Sequence, residues 1–137
     1  MIIVDTNVLS EFMRPQPAPQ VVRWLEGAQP SSLALTAISM MEITYGVARL
    51  PAGHRKDATR QRWEGIQAAW TGTFITLGMA ESVAAGEVLG ARTAIGRPIT
   101  TADAQLAGMC LAWGAALATR NTKDFEGLGI DLINPWD

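Results

Sequence analysis

The sequence predicts an α/β fold, in which a central, mostly parallel sheet of four or five strands lies between layers of helices. Three observations predict it. Short apolar runs alternate along the chain with longer segments of helical spacing, the pattern of strands joined by crossover helices. The 137 residues suffice for one hydrophobic core and are too few for two, so residues 1–137 are expected to form one domain. Apolar residues make up 48% and charged residues 18% of the chain, which excludes disordered and fibrous classes.

Ile2-Ile3-Val4 is short and β-branched and reads as a buried first strand, stopped by Asp5-Thr6-Asn7. Val8 to Met13 resumes with helical spacing, capped by Thr6 or Asn7, until Pro15, Pro17 and Pro19 impose an extended connector. Val21, Val22 and Leu25 share a face of a second helix that ends at Gly27 and Pro30. Leu33 to Thr36 is the second strand, followed by a helix capped at Ser39 and running to about Leu50. Pro51-Ala52-Gly53 makes a turn. Trp63, Ile66 and Trp70 then stand three and four apart in a helix over His54–Trp70.

Phe74 to Leu77 is the third strand, and an Ala- and Gly-rich helix follows from about Ala80 to Ala94. Gly86 and Gly90, four apart on it, are expected to allow close packing. A helix from Asp103 to about Trp113, a fourth strand at Ala115–Ala118, a loop from Thr119 to Phe125 and an edge strand within Ile130–Ile133 complete the order.

Composition narrows the function. Cys110 is alone, so no internal disulfide forms, and with one histidine, His54, no four-ligand zinc site can be built. Ala104 to Thr119, an uncharged stretch that no other exceeds, falls short of the roughly 20 apolar residues of a membrane span. Asp5 and Glu11 interrupt the start, so no signal peptide is read and a cytoplasmic protein is expected. Net charge is −2, yet five of the eleven Lys and Arg (Arg49, Arg55, Lys56, Arg60 and Arg62) form a local basic strip. A strip of that kind reads either as a solvated helix face or as a phosphate-binding surface.

The informative carboxylates stand near apolar stripes. Asp5 follows the first strand directly, where open α/β sheets bind ligands, although a cap or turn role is equally open to it. Glu42 lies four residues after Ile38, on an expected stripe with Met41 and Tyr45; a salt bridge is the plain alternative. Asp103 precedes Leu106, Ala107, Cys110 and Leu111 by three, four, seven and eight residues, so it belongs to the inner face of its helix or serves its dipole. Asn121 and Asp124 follow the fourth strand and add oxygen donors, or simply turn the chain. Were Asp5, Glu42 and Asp103 to converge within about 5 Å, each pair would repel by roughly 3 kcal/mol. Such a cluster protonates or holds a cation, and an all-oxygen set selects Mg²⁺ or Mn²⁺, whose remaining ligands suit a phosphodiester.

These residues resemble a PIN domain, and specifically the VapC-type ribonuclease toxins of bacterial toxin–antitoxin pairs. The resemblance is carried by Ile2-Ile3-Val4-Asp5-Thr6-Asn7-Val8-Leu9-Ser10, by Ser39-Met40-Met41-Glu42-Ile43 and by Thr100-Thr101-Ala102-Asp103-Ala104-Gln105-Leu106-Ala107. Ala118-Thr119-Arg120-Asn121-Thr122-Lys123-Asp124-Phe125 and Asn134-Pro135-Trp136 extend it over essentially the whole chain. It implies a PIN-like three-layer sandwich and a Mg²⁺-dependent endoribonuclease. Asp5 and Asp103 would hold the metal, with Glu42 directly or through water, and Thr6, Asn7 and Thr101 orienting the carboxylates. Many relatives carry an aspartate at Asn121, so here Asn121 or Asp124 supplies the fourth position. The resemblance further implies a homodimer and a small antitoxin covering the pocket, with Trp24 or Trp63 available for that contact if not packed in the core.

Two rivals remain at this point. An aspartate-nucleophile phosphohydrolase needs a second Asp where Asn7 stands, and no Gly-x-Ser-x-Gly, Walker or dinucleotide glycine motif is present. A domain that binds RNA or an antitoxin without cleavage is the non-enzymatic alternative.

Overall fold

A computed structural model describes all residues, Met1–Asp137. Five short strands, β1 (Ile2–Val4), β2 (Leu33–Thr36), β3 (Thr73–Ile75), β4 (Ala116–Ala118) and β5 (Leu132–Ile133), form one sheet. Six helices accompany them: α1 (Thr6–Phe12), α2 (Pro19–Gly27), α3 (Ala37–Ala48), α4 (His54–Ala69), α5 (Met79–Ala94) and α6 (Thr101–Trp113). The strand order is β3-β2-β1-β4-β5 and every neighbouring pair is parallel, so the expected α/β sandwich holds with no antiparallel edge.

The sheet is covered on both faces because its strands are apolar on both. Ile3, Ala34, Ile75 and Leu117 face a core closed by α5 and α6 through Val88, Ala104, Ala107 and Cys110. Val4, Leu33 and Leu35 face the opposite core, closed by α1, α2, α3 and α4 through Val8, Val21, Val47 and Trp63. α5 and α6 approach closely at Gly108, where an added Cβ would meet the Ala85 nitrogen and the Glu81 carbonyl oxygen at 2.6 Å each. The close contact expected of Gly86 and Gly90 is therefore absent: nothing lies within 4 Å of a Cβ at either, because both face outward.

The helix caps also differ from the sequence expectation. Asp5, in the cap role left open to it, and not Thr6 or Asn7, caps α1, its side chain accepting from the Thr6 N–H at 2.6 Å. Thr36, not Ser39, caps α3 by accepting from the Ser39 N–H at 3.2 Å. In runs containing several Ser, Thr, Asn and Asp, backbone geometry decides which of them becomes the cap. β3 begins at Thr73 and ends at Ile75, one residue earlier than the apolar run suggests and two shorter at its end. Pro19 opens α2 at its first turn, where a missing N–H costs nothing. Gly114 ends α6 in the left-handed conformation (φ 59°), which turns the chain directly into β4.

The strand order places the site. From β1 the chain moves outward to β2 and β3, then returns to β4 on the other side of β1. β1 and β4 thus flank the point where the winding reverses, and the crevice beyond their carboxyl ends is where such sheets accept ligands. Asp5 leaves β1 there, and Thr119, Arg120 and Asn121 leave β4 beside it. No helix is long and apolar enough to cross a membrane.

Candidate active site

Asp5 is the anchor of that crevice, buried to 8% exposure. Its Oδ2 accepts from the Thr119 hydroxyl at 2.8 Å and from the Asn7 amide at 3.0 Å, while its own N–H donates to the Ala118 carbonyl at 3.0 Å. Asn7 in turn donates to Thr119 at 3.2 Å and accepts from the Arg120 N–H at 3.2 Å, tying β1 to the loop after β4. Burial raises the Asp5 carboxyl to about 6; the Thr119 and Thr6 hydrogen bonds oppose the rise, and the Asp103 and Glu42 charges add to it.

Glu42 reaches the same depression from α3 and accepts from the Thr6 hydroxyl at 2.8 Å. It does not do so by facing the core. Met41 and Tyr45, its expected stripe, are 56% and 64% exposed, whereas Ile38, Ser39, Ile43 and Val47 are buried. Glu42 is itself exposed and leans over the rim of the crevice. Asp103 sits half-buried in the first turn of α6, its N–H capped by the Thr100 hydroxyl at 3.1 Å. Burial raises its carboxyl, and the neighbouring Asp124 and Glu42 charges raise it further. Of its expected stripe, Leu106, Ala107 and Cys110 are buried and Leu111 is 39% exposed.

Asp5, Glu42, Asp103 and Asn121 line one depression of about 660 Å³, together with Thr6, Asn7, Ser10, Glu11, Arg14, Arg120 and Trp136. The three carboxylates therefore meet in one place from three elements. No three of the acidic, His and Cys side chains form a ready-made metal-ligand group. With Glu42 in solvent, mutual repulsion is correspondingly weaker than a fully buried triad would carry. The open, oxygen-only donor set suits a hard divalent ion that keeps several of its waters.

Asp124 faces an adjoining hollow, which shares Asp103 with the acidic depression. Asn7 holds Asp5 and Thr6 holds Glu42, but Thr101, expected in the same role, makes no hydrogen bond to a carboxylate; Thr100 beside it does the capping.

The basic strip divides. Arg49, Arg55 and Arg62 line a groove of about 650 Å³ with Arg14, and the groove shares Thr6, Ser10, Arg14 and Glu42 with the acidic depression. Lys56 instead donates to the Ala48 carbonyl at 2.9 Å, and Arg60 lines a separate hollow with Trp63. Arg14, paired with Glu11 at 3.1 Å, and Arg120, stacked 5.1 Å over the Trp136 ring, join the site without standing out in the sequence. Thr119 falls within the Ala118–Phe125 resemblance, yet its role is not written there, since a buried hydroxyl at an apolar strand end carries no pattern of its own. Trp63 is core, 3% exposed, and Trp24 packs partly against the same cluster.

The profile of the PIN-domain family matches residues 2–129. The chain belongs to the PIN-domain family. This PIN domain is 34% identical over 138 residues to "VapC ribonuclease Y4jK" of Sinorhizobium fredii, covering 100% of this chain and 99% of that protein. It is 31% identical to "Toxin FitB" of Neisseria gonorrhoeae, over 99% of both chains. The crystal structure of FitAcB from Neisseria gonorrhoeae superposes with a TM-score of 0.88 at 30% identity and 99% coverage of each chain.

Proposed function

We propose that residues 1–137 form one PIN domain acting as a divalent-metal-dependent endoribonuclease toxin in the cytoplasm, neutralised by a cognate antitoxin. The observation that carries the reading is the meeting of Asp5, Glu42 and Asp103 in one crevice at the reversal point of the sheet. The similarity to a VapC ribonuclease and to Toxin FitB supports the activity class. Asp5 and Asp103 hold the ion, Mg²⁺ with Mn²⁺ as a substitute, and Glu42 reaches it directly or through water. When bound, such an ion supplies Lewis acidity toward a phosphodiester and an activated water.

The chain's own residues do the rest. Thr119, Asn7 and the Thr6 N–H hold Asp5 ionised against its burial, and Thr6 fixes Glu42. Asn121 lines the depression as a neutral oxygen donor, and Asp124 supplies a carboxylate from the far side of Asp103. Arg49, Arg55 and Arg62, together with Arg14, attract the RNA backbone into the adjoining groove. Lys56 and Arg60 act at longer range, through charge alone.

Two further surfaces support protein partners. An apolar hollow of about 250 Å³ between α1, α2 and α4, lined by Phe12, Leu25, Ile66 and Trp70, suits an antitoxin segment. Met41 and Tyr45 on α3 and Met79 and Val83 on α5 are 56%, 64%, 85% and 61% exposed, as expected where a homodimer forms. A weakly catalytic RNA-binding domain is the second reading, favoured by the neutral Asn121. Incubating single-stranded RNA with the purified protein and Mg²⁺ separates the two. Cleavage is expected to stop in EDTA and in Asp5→Asn while the circular-dichroism spectrum is retained. Cleavage persisting in either overturns the nuclease reading, and RNA binding without cleavage by the unaltered protein establishes the second.

A further inference from the structure

Arg92, on α5, is 5% exposed and has no carboxylate within ion-pairing distance; the one ion pair of the protein is Arg14–Glu11. One of its terminal nitrogens donates to the Asp124 and Glu126 carbonyl oxygens at 2.9 Å each. Those bonds fix the loop carrying Asp124, but they leave a full positive charge buried without a counter-charge, which is costly unless an anion arrives. Arg92 lines a hollow of about 350 Å³ whose exposed rim carries Arg97 and Lys123, with Thr100, Asp103 and Asp124 completing it. None of these three cations belongs to the basic strip between Arg49 and Arg62.

Position gives the hollow its meaning. It meets the acidic depression at Asp103, while the groove of Arg49, Arg55 and Arg62 meets that depression at Glu42 and Thr6. The acidic centre therefore lies between two basic recesses. We infer that the Arg92–Arg97–Lys123 hollow is a phosphate subsite for the RNA strand, on the far side of the cleaved bond from the arginine groove. The inference rests on the nuclease reading. The hollow sets three cations against the two carboxylates of Asp103 and Asp124, and a backbone phosphate takes up the positive charge that remains.

Arg97 and Lys123 are exposed, so both can be replaced without unfolding the protein. The test measures binding of a fluorescein-labelled oligouridylate by anisotropy across a salt series, in an Asp5→Asn background that does not cleave it. Arg97→Ala/Lys123→Ala is expected to weaken binding and to flatten the log–log salt dependence by about 0.7 for each phosphate no longer neutralised. Arg23→Ala, which removes one exposed charge outside all three recesses and outside the basic strip, is expected to leave the slope in place. Equal flattening per charge removed in both variants, or none in Arg97→Ala/Lys123→Ala, overturns the subsite while leaving metal-dependent cleavage by the Asp5 protein intact. Absence of that cleavage overturns the nuclease reading separately, and absence of any oligouridylate binding overturns both.

Discussion

Thr119 and Asp5, 114 residues apart in sequence, share a buried 2.8 Å hydrogen bond in which the hydroxyl donates to the carboxylate. The same oxygen of Thr119 accepts from the Asn121 N–H at 3.0 Å, so one side chain both steadies the acid and sets the loop after β4. Thr119→Val is therefore expected to cost about 1–3 kcal/mol, since it strips partners from a buried acceptor and a backbone donor. Loss of the hydroxyl also raises the Asp5 carboxyl further, so the acidic limb of metal-dependent RNA cleavage should move to higher pH. Thr119→Ser should restore both. An unmoved limb in Thr119→Val would show that the hydroxyl has no influence on Asp5.

Metal-free stability should fall as pH rises. The Asp5 carboxyl sits at about 6 in the fold against 3.8 as its ordinary value, so the folded state binds more protons than the unfolded state between those values. The contribution is fully present below pH 3.8 and lost as pH rises through about 6, amounting to roughly 3 kcal/mol by neutral pH. Guanidinium denaturation in EDTA is expected to give a larger unfolding free energy at pH 5 than at pH 7.5. Saturating Mg²⁺ should flatten that difference, because an ion favours the charged carboxylate. Equal stability at both pH values in EDTA would refute the electrostatic account.

Asp103→Asn should raise the metal-free melting temperature. It removes a half-buried charge that faces Glu42 and Asp124 while keeping a side chain of the same shape. Discounted for solvent screening, the gain is below about 1 kcal/mol. The same variant should lose the stabilisation that Mg²⁺ gives the unaltered protein. A lowered metal-free melt would mean that the carboxylate matters chiefly to the α6 dipole.

Glycines on the paired helices α5 and α6 should respond with opposite signs. Gly108→Ala forces a Cβ to within 2.6 Å of backbone atoms of α5 and should destabilise by about 1–3 kcal/mol or more. Gly86→Ala and Gly90→Ala, with open space around each, should stabilise by about 0.5–1 kcal/mol through helix propensity. Urea denaturation of the three single variants checks both halves.

The strand and helix order is readable because the apolar runs are short and separated by Pro, Gly and capping residues. Glu42 is different, because periodicity points to it through a stripe that does not exist. α3 carries Met, Ile, Tyr and Val on nearly every side, so spacing cannot tell its inner face from its outer one, and the resemblance at Ser39–Ile43 places Glu42 instead. The division of the basic strip is written in α4: Arg55 and Arg62 stand seven apart on one face, while Arg60 falls across the helix. Thr119, Arg120 and Arg92 are not readable, because their roles depend on which loops β1, β4 and α5 bring together, a matter of topology and not of spacing.

Placing the first-made strand in the middle of the sheet has a consequence in time. β1 leaves the ribosome early but gains its second neighbour only when β4, near the other end of the chain, is available. Until then Asp5 lacks the Thr119 hydroxyl that holds it, and the crevice lacks Arg120 and Asn121. A chain made only as far as α6 therefore carries its acids without their Thr119 anchor, and the crevice takes its form only with β4.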